Sequence, residues 1–193
     1  MASHIKPNWK GHRLIASHYP PIALFETIYD DPDELEIAFQ LEALTNDRLT
    51  QEMRGFPLIK EEDRIYGPGT TPVMAAFCHI GFESRFTDGK FGVYYCADNV
   101  ETAIAETIYH REVFLAATKE DDTELTMRAY VTDIVEELID VRGDAMLHDP
   151  HSYVASQQFG LKAFDQNHWG ILYDSVRREG HQCAALLRPS ALA

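Results

Sequence analysis

Hydrophobic and polar positions along the chain alternate between two periods. Short apolar runs of β-branched and aromatic residues predict strands, and three-to-four spacing predicts helices. The stretch HRLIAS predicts a first short strand with Arg13 inside it. A helix is expected from about residue 32 to 53. Asp31 would cap it, Pro32 occupy its first position, and Leu35, Ala38, Leu41, Leu44 and Leu49 form one stripe. That helix reads as amphipathic and solvated on its acidic side. Residues 54–72 are loop-like, with Tyr66, Gly67, Pro68 and Gly69 as turn punctuation. The run VMAAFCHI at 73–80 fits either a buried strand or a turn of helix. FGVYYCA at 91–97 predicts a strand. Asp98 and Asn99 then offer a cap for a helix over 99–117, in which Ala103, Ile104, Ala105 and Ile108 are expected to pack. Further on, a strand is expected at 126–135, a loop at 140–150 and a helix at 153–164. Short strands follow at 170–173 and 183–187, the last stopped by Pro189. Strands and helices mix without regular alternation, which predicts an α+β fold.

Charge narrows the range of partners. With 17 Lys and Arg against 31 Asp and Glu, the formal net charge is −14. Polyanion binding needs clustered cations, so direct nucleic-acid binding is not expected. The same balance argues against a polybasic membrane anchor. Much of the surplus acid lies between about residues 30 and 63. No apolar stretch approaches the ~20 residues of a membrane span, and the N-terminus lacks the pattern of a signal segment. The three cysteines, Cys78, Cys96 and Cys183, are far apart and form no CxxC. A reducing cytoplasm is therefore the expected compartment.

Candidate chemistry concentrates between residues 81 and 110. A polar turn carries Ser84 and Arg85, a strand presents Tyr94 and Tyr95 to opposite faces, and the following helix carries Glu106 and His110. Those last two sit four residues apart and share a helix face, along with Thr102. Read singly, such a pair is an ordinary solvated ion pair, and an arginine in a turn is ordinarily exposed. Metal binding would need more: Glu106 with His110, or His148 with His151, supplies half a site with no third ligand at recognised spacing. No metal is expected. Gly67 and Gly69 lack the Lys and Ser/Thr of a phosphate loop, and no GxSxG elbow is present. Cys78 beside His79 reads as a small buried thiol.

Taken together, GFESRFTDGKF at 81–91, GVYYCADNVETAIAETIYH at 92–110 and GILYDSVRREGHQCAALLRP at 170–189 resemble the RES domain family. The resemblance runs from about Arg13 to Pro189 in the family's order of segments, as one domain over 1–193 with an acidic helical N-terminal segment. It implies a small split β-sheet with surrounding helices, similar to diphtheria-toxin-like ADP-ribosyltransferases. It implies NAD+ as substrate and the role of toxin in a bacterial toxin–antitoxin pair. The implied antitoxin is Xre-like and blocks the cleft, and a target protein is a possible further partner. Carried over by position, Arg85, Glu106 and Ser175 match the residues that name the family. Tyr95, with Tyr94 as its neighbour, matches the strand tyrosine, Arg13 a basic residue of the first strand, and His110 a histidine after the glutamate. Phe86 stands where many members have Trp, and the helix at 32–53 is longer than in compact members. The implied roles are Glu106 stabilising an oxocarbenium-like transition state, and Arg13 and Arg85 holding the pyrophosphate. Tyr95 would stack on the nicotinamide side, Ser175 would hydrogen-bond in the nicotinamide pocket, and His110 would order Glu106 or the acceptor. A mono-ADP-ribosyltransferase, a glycohydrolase and a phosphorylase differ only in acceptor. A non-catalytic nucleotide-binding module and an RNA-directed toxin are the alternatives from other classes.

Overall fold

The computed structural model describes residues 3–17, 55–117 and 124–193. The helix expected at 32–53, and with it most of the acidic stretch, lies outside the described residues. Among these residues seven strands form one sheet. In chain order they are β1 (Ser3–Ile5), β2 (Gly11–Ala16), β3 (Tyr94–Ala97), β4 (Met127–Thr132), β5 (Leu138–Asp140), β6 (Gly170–Asp174) and β7 (Gln182–Leu186). Their spatial order is β1-β5-β6-β7-β3-β2-β4. Only β5 and β6 run parallel; the remaining neighbours are antiparallel. Three helices accompany the sheet among the described residues: α1 (Thr71–Cys78), α2 (Val100–Ala116) and α3 (Val154–Asp165). The fold is α+β, as the mixed pattern predicts.

The central strands are apolar throughout because both faces of the sheet are covered. Tyr94, Cys96, Leu138, Leu172, Ala184 and Leu186 point to one face, where they meet Met74, Phe77 and Cys78 of α1. Their neighbours Ala97, Ile139, Ile171, Tyr173, Cys183 and Ala185 point to the other, with Phe86, Ala103 and Ala163. The alternation follows directly from the period of two along a strand. The ambiguous run at 73–80 is helical: α1 is buried on nearly all sides, and an all-round apolar helix belongs inside a core.

Helix α2 departs from expectation. It buries only Thr102 and Ala103, while Ile104 and Ile108, expected to pack, are 41% and 51% exposed. The face bearing Thr102 and Glu106 turns towards the sheet instead. The strands β1 and β5 were not expected. Each has three residues, too few to show a periodic pattern.

One junction in the sheet is open. β2 pairs with β4 over six residues but with β3 only at His12↔Ala97. The sheet thus divides into a broad part ending at β3 and a two-stranded ribbon of β2 and β4. Across the opening, Arg13 Nη1 donates to the Tyr95 carbonyl at 3.0 Å. The side chain supplies β3 with a donor where the neighbouring backbone has turned away.

On the α2 and α3 side, the turn at 84–87 is closed by a bridge between Ser84 and Thr87. Helix α3 braces it: Gln157 Nε2 donates to the Ser84 carbonyl, and Gly160 backs directly onto Phe86. A Cβ at residue 160 would overlap the carbonyl oxygen of Phe86. Gly160→Ala is therefore expected to lower stability by about 2 kcal/mol, although alanine is the better helix former. Urea denaturation checks this; a variant as stable as the parent would show that the contact yields freely.

Candidate active site

A cleft of about 630 Å3 opens where β2 and β3 diverge, roofed by α2. Arg13, Arg85, Tyr95, Glu106 and His110 all line it. These are residues that sequence reasoning had drawn from four separate segments. Ser175, the remaining expected member, lies behind Glu106 and is absent from the lining.

Helix α2 begins at a firm cap. Asn99 Oδ1 accepts from the Thr102 backbone N–H and from the Thr102 hydroxyl, both at 2.9 Å. The same oxygen accepts from Arg178 Nη1 at 2.7 Å, and Arg178 also reaches Thr102 Oγ at 3.2 Å. Asn99 Nδ2 donates to Asp98 Oδ1 at 2.8 Å, and His181 Nδ1 lies 2.9 Å from Asn99 Nδ2. Asp98 Oδ2 accepts in turn from the Gln182 backbone N–H. This network ties the start of α2 to the loop between β6 and β7. Asn99 was legible as a cap. Arg178 and His181 gave no sequence signal, because their partners lie about eighty positions earlier.

The tie sets the position of Glu106 one turn further on. Ser175 Oγ donates to Glu106 Oε1 at 2.6 Å. The hydroxyl is itself oriented, since it accepts from the backbone N–H groups of Arg177 and Arg178 at 3.2 and 3.0 Å. Its proton and lone pairs are thus engaged by Glu106 and the 177–178 backbone. The Cys183 thiol approaches the same oxygen at 3.9 Å. Burial, then the neighbouring Glu106 charge, pushes that thiol well above its ordinary pKa, so it stays protonated.

The arginines differ from a simple exposed pair. Arg85 is only 7% exposed, contrary to the expectation for a turn arginine. Its Nη1 donates to the carbonyls of Leu147 and Asp149 at 3.1 Å each, and its guanidinium lies over the Tyr153 ring. Arg13 stacks on Tyr94 with 4.7 Å to the ring centroid. Its Nε is buried without a hydrogen-bond partner among the described residues. Burial in the first place lowers its pKa, and nearby Tyr94 opposes the shift. A half-buried guanidinium on the cleft wall favours an anion beside it.

The two tyrosines separate cleanly. Tyr94 packs into the core beside Phe77, their rings 6.5 Å apart. Tyr95 faces the cleft, and its hydroxyl holds the turn before it: it accepts from the Phe86 N–H at 3.0 Å and shares a hydrogen bond with Ser84 Oγ at 2.8 Å. His110 lines the cleft one turn beyond Glu106. Burial pulls its pKa below the usual imidazole value, against the Glu106 carboxylate and with help from Arg177 and Arg85. His148 is structural. Its Nδ1 lies 2.6 Å from the Asp144 carbonyl, and its Nε2 accepts from the Asp174 N–H at 2.9 Å. Among the described residues no group of three His, Cys, Asp or Glu could hold a metal ion, and no helix is long and apolar enough to cross a membrane.

Comparison with known proteins bears on the family and the fold. The family model described as the RES domain matches residues 61–193. A curated relative, "Uncharacterized protein y4oC" of Sinorhizobium fredii, is 28% identical over 191 residues, spanning 94% of this chain and 76% of that protein. Among solved structures, the crystal structure of the M. tuberculosis MbcT–MbcA toxin–antitoxin complex is similar, with a TM-score of 0.55 at 13% identity. That match covers 98% of this chain and 82% of the other, and at such identity it is a likeness of fold.

The hydroxyl of Tyr95 generates a stability prediction. Tyr95→Phe leaves the Phe86 N–H without its acceptor and should cost about 1–2 kcal/mol at neutral pH. Burial pushes the Tyr94 and Tyr95 phenols up to about 12, whereas unfolded phenols ionise near 10. The stability they contribute is whole below about pH 10 and is lost as the pH rises towards 12. Urea denaturation at stepped alkaline pH should show this decline, shallower in Tyr95→Phe. A variant with unchanged stability and slope would refute the assignment.

Proposed function

The chain belongs to the RES domain family, and from that premise we propose that it cleaves the nicotinamide–ribose bond of NAD+ and passes ADP-ribose to an acceptor, as the toxin of a toxin–antitoxin pair. The observation that carries this reading is the carboxylate of Glu106, held by Ser175 within a cleft whose walls carry Arg13 and Arg85. NAD+ combines a reacting centre that becomes more cationic with a pyrophosphate that stays anionic. The cleft offers the complementary pair of charges.

In the proposed reaction the bond between ribose C1′ and the nicotinamide nitrogen breaks, and its electron pair leaves with nicotinamide. The leaving group departs neutral, so no general acid is needed. The sugar passes through an oxocarbenium-like state, as in glycoside cleavage. Glu106 stabilises that developing charge, and its fixed orientation avoids reorganisation during the step. The acceptor's oxygen, or a side-chain nucleophile, then bonds to C1′ and releases its proton. Arg13, which lines the cleft, pairs with the pyrophosphate. Arg85 is anchored by the 147–149 carbonyls and completes the positive wall. Tyr95 offers a ring face to the nicotinamide end, and His110 stands beside Glu106 on the acceptor's approach.

The fold shared with a chain of a toxin–antitoxin complex supports a toxin role and a proteinaceous antitoxin as partner. An antitoxin that fills the cleft would silence the reaction without altering its residues; an Xre-like partner and a cytoplasmic setting complete the proposal.

Incubation of the pure protein with labelled NAD+, with and without phosphate and cell lysate, tests the reading. Free ADP-ribose, an ADP-ribose phosphate ester or a labelled protein band would identify water, phosphate or a side chain as acceptor. Glu106→Gln should lower turnover by about 100-fold or more, and Ser175→Ala by roughly 10-fold. Label that stays in NAD+ under every condition, or a Glu106→Gln variant as active as the parent, would refute the proposal.

A further inference from the structure

Helix α2 buries only Thr102 and Ala103, so few packed side chains resist a roll about its axis. Glu106 rides on that helix, and a roll would carry its carboxylate out of place. Two neighbouring arginines of the β6–β7 loop meet the helix on either side of it. Arg178 Nη1 donates to Asn99 Oδ1 at 2.7 Å and to Thr102 Oγ at 3.2 Å. The Arg177 guanidinium lies over the Tyr109 ring, 3.2 Å from its centroid, and its Nη2 donates to the Pro150 carbonyl at 3.1 Å. Neither arginine lines the cleft.

The spacing of these contacts points to their purpose. Thr102 precedes Glu106 by about one helical turn, and Tyr109 follows it by nearly one. The two grips are therefore ~10 Å apart along the axis, with the carboxylate between them. One contact leaves a helix free to pivot about it, and two do not. The same dipeptide also orients the serine behind the acid. The backbone N–H groups of Arg177 and Arg178 donate to Ser175 Oγ, which in turn donates to Glu106 Oε1. Two side chains hold the helix while two amides hold the hydroxyl.

We propose that Arg177 and Arg178 are positioning residues that clamp Glu106 from behind the cleft. The effect on rate rests on the NAD+ reading of the cleft; the effect on the helix rests on the geometry alone. Neither cation stands where a ligand in the cleft would touch it. Their removal therefore acts on the alignment of the acid with the breaking bond, which is expressed in the transition state and not in ground-state binding. A staple that serves stability alone is the competing reading. It predicts a lower denaturation midpoint, with each folded molecule as active as the parent.

The test uses the full chain and three readouts: steady-state constants for NAD+, hydrogen exchange of the α2 amides, and urea denaturation. Arg177→Met and Arg178→Met should each lower kcat about 10-fold, and together about 100-fold, with KM within about twofold of the parent. Amides of residues 102–109 should exchange about 10-fold faster in the double variant, and those of α3 at the parent rate. Arg177→Lys and Arg178→Lys keep a cation and should recover most of kcat. Arg142→Met removes an arginine that pairs with Asp140, and should leave both constants as they are. If the parent turns over NAD+ while the double variant keeps its kcat, or raises KM alone, the clamp is wrong and the cleavage reading survives. A lower urea midpoint with full kcat per folded molecule would reduce the pair to a staple and overturn the clamp. If the parent does not turn over NAD+, the cleavage reading falls and exchange decides the clamp: faster α2 amides uphold it, and unchanged ones overturn it.

Discussion

The opening of the sheet between β2 and β3 is the constraint on which the rest of the site depends. A full ladder there would close the space that the cleft occupies. The strands instead meet at His12↔Ala97 and part, and Arg13 bridges the gap to the Tyr95 carbonyl. This arrangement has a cost. Arg13 is half-buried, its pKa falls, and its buried Nε has no acceptor among the described residues. Burying an incompletely paired cation is unfavourable, so such a group is retained where an incoming anion can complete it. The structural bridge and the proposed anion site are thus one side chain.

The second constraint is how the acid is held. Glu106 sits in a long helix that buries little of its own surface, so packing alone would position it loosely. Hydrogen bonds supply the order that packing does not. Asn99 and Arg178 fix the first turn of α2 against the β6–β7 loop, and the same loop delivers Ser175 to the carboxylate. A shift of that loop would move the helix cap and the serine together. The net charge of −14 also takes on a local meaning. The cleft reverses the sign of the whole surface by gathering Arg13, Arg85 and Arg111 on its walls. An anionic ligand repelled by the net charge of the whole would meet attraction at this opening.

Much of this was legible from the residues. The strands at 170–173 and 183–187 and the helix at 99–117 lie within a residue or two of their observed bounds. Their apolar runs and the Asn99 cap act over short range. Read singly, Arg85 would be an exposed turn arginine; its burial depends on Leu147, Asp149 and Tyr153, some sixty positions later. Ile104 and Ile108 were misread as core because apolar character was taken as a sign of burial. On α2 the buried side is decided by the cap network, which draws Thr102 inward. The contact of Ser175 with Glu106 gave no signal in the sequence, because 69 positions separate them.

The sequence by itself determined most of the longer elements, their α+β class and the family to which the chain belongs. It also determined that Tyr94 and Tyr95 face opposite ways, since adjacent residues of a strand must. Only the tertiary structure decided which of them looks into the cleft, and that Ser175 stands behind Glu106, 69 positions from it along the chain. Local sterics and capping are written in neighbouring residues. The meeting of distant ones depends on which strands pair and where a ladder stops, and no spacing along the chain records that the pairing of β2 with β3 ends after one residue.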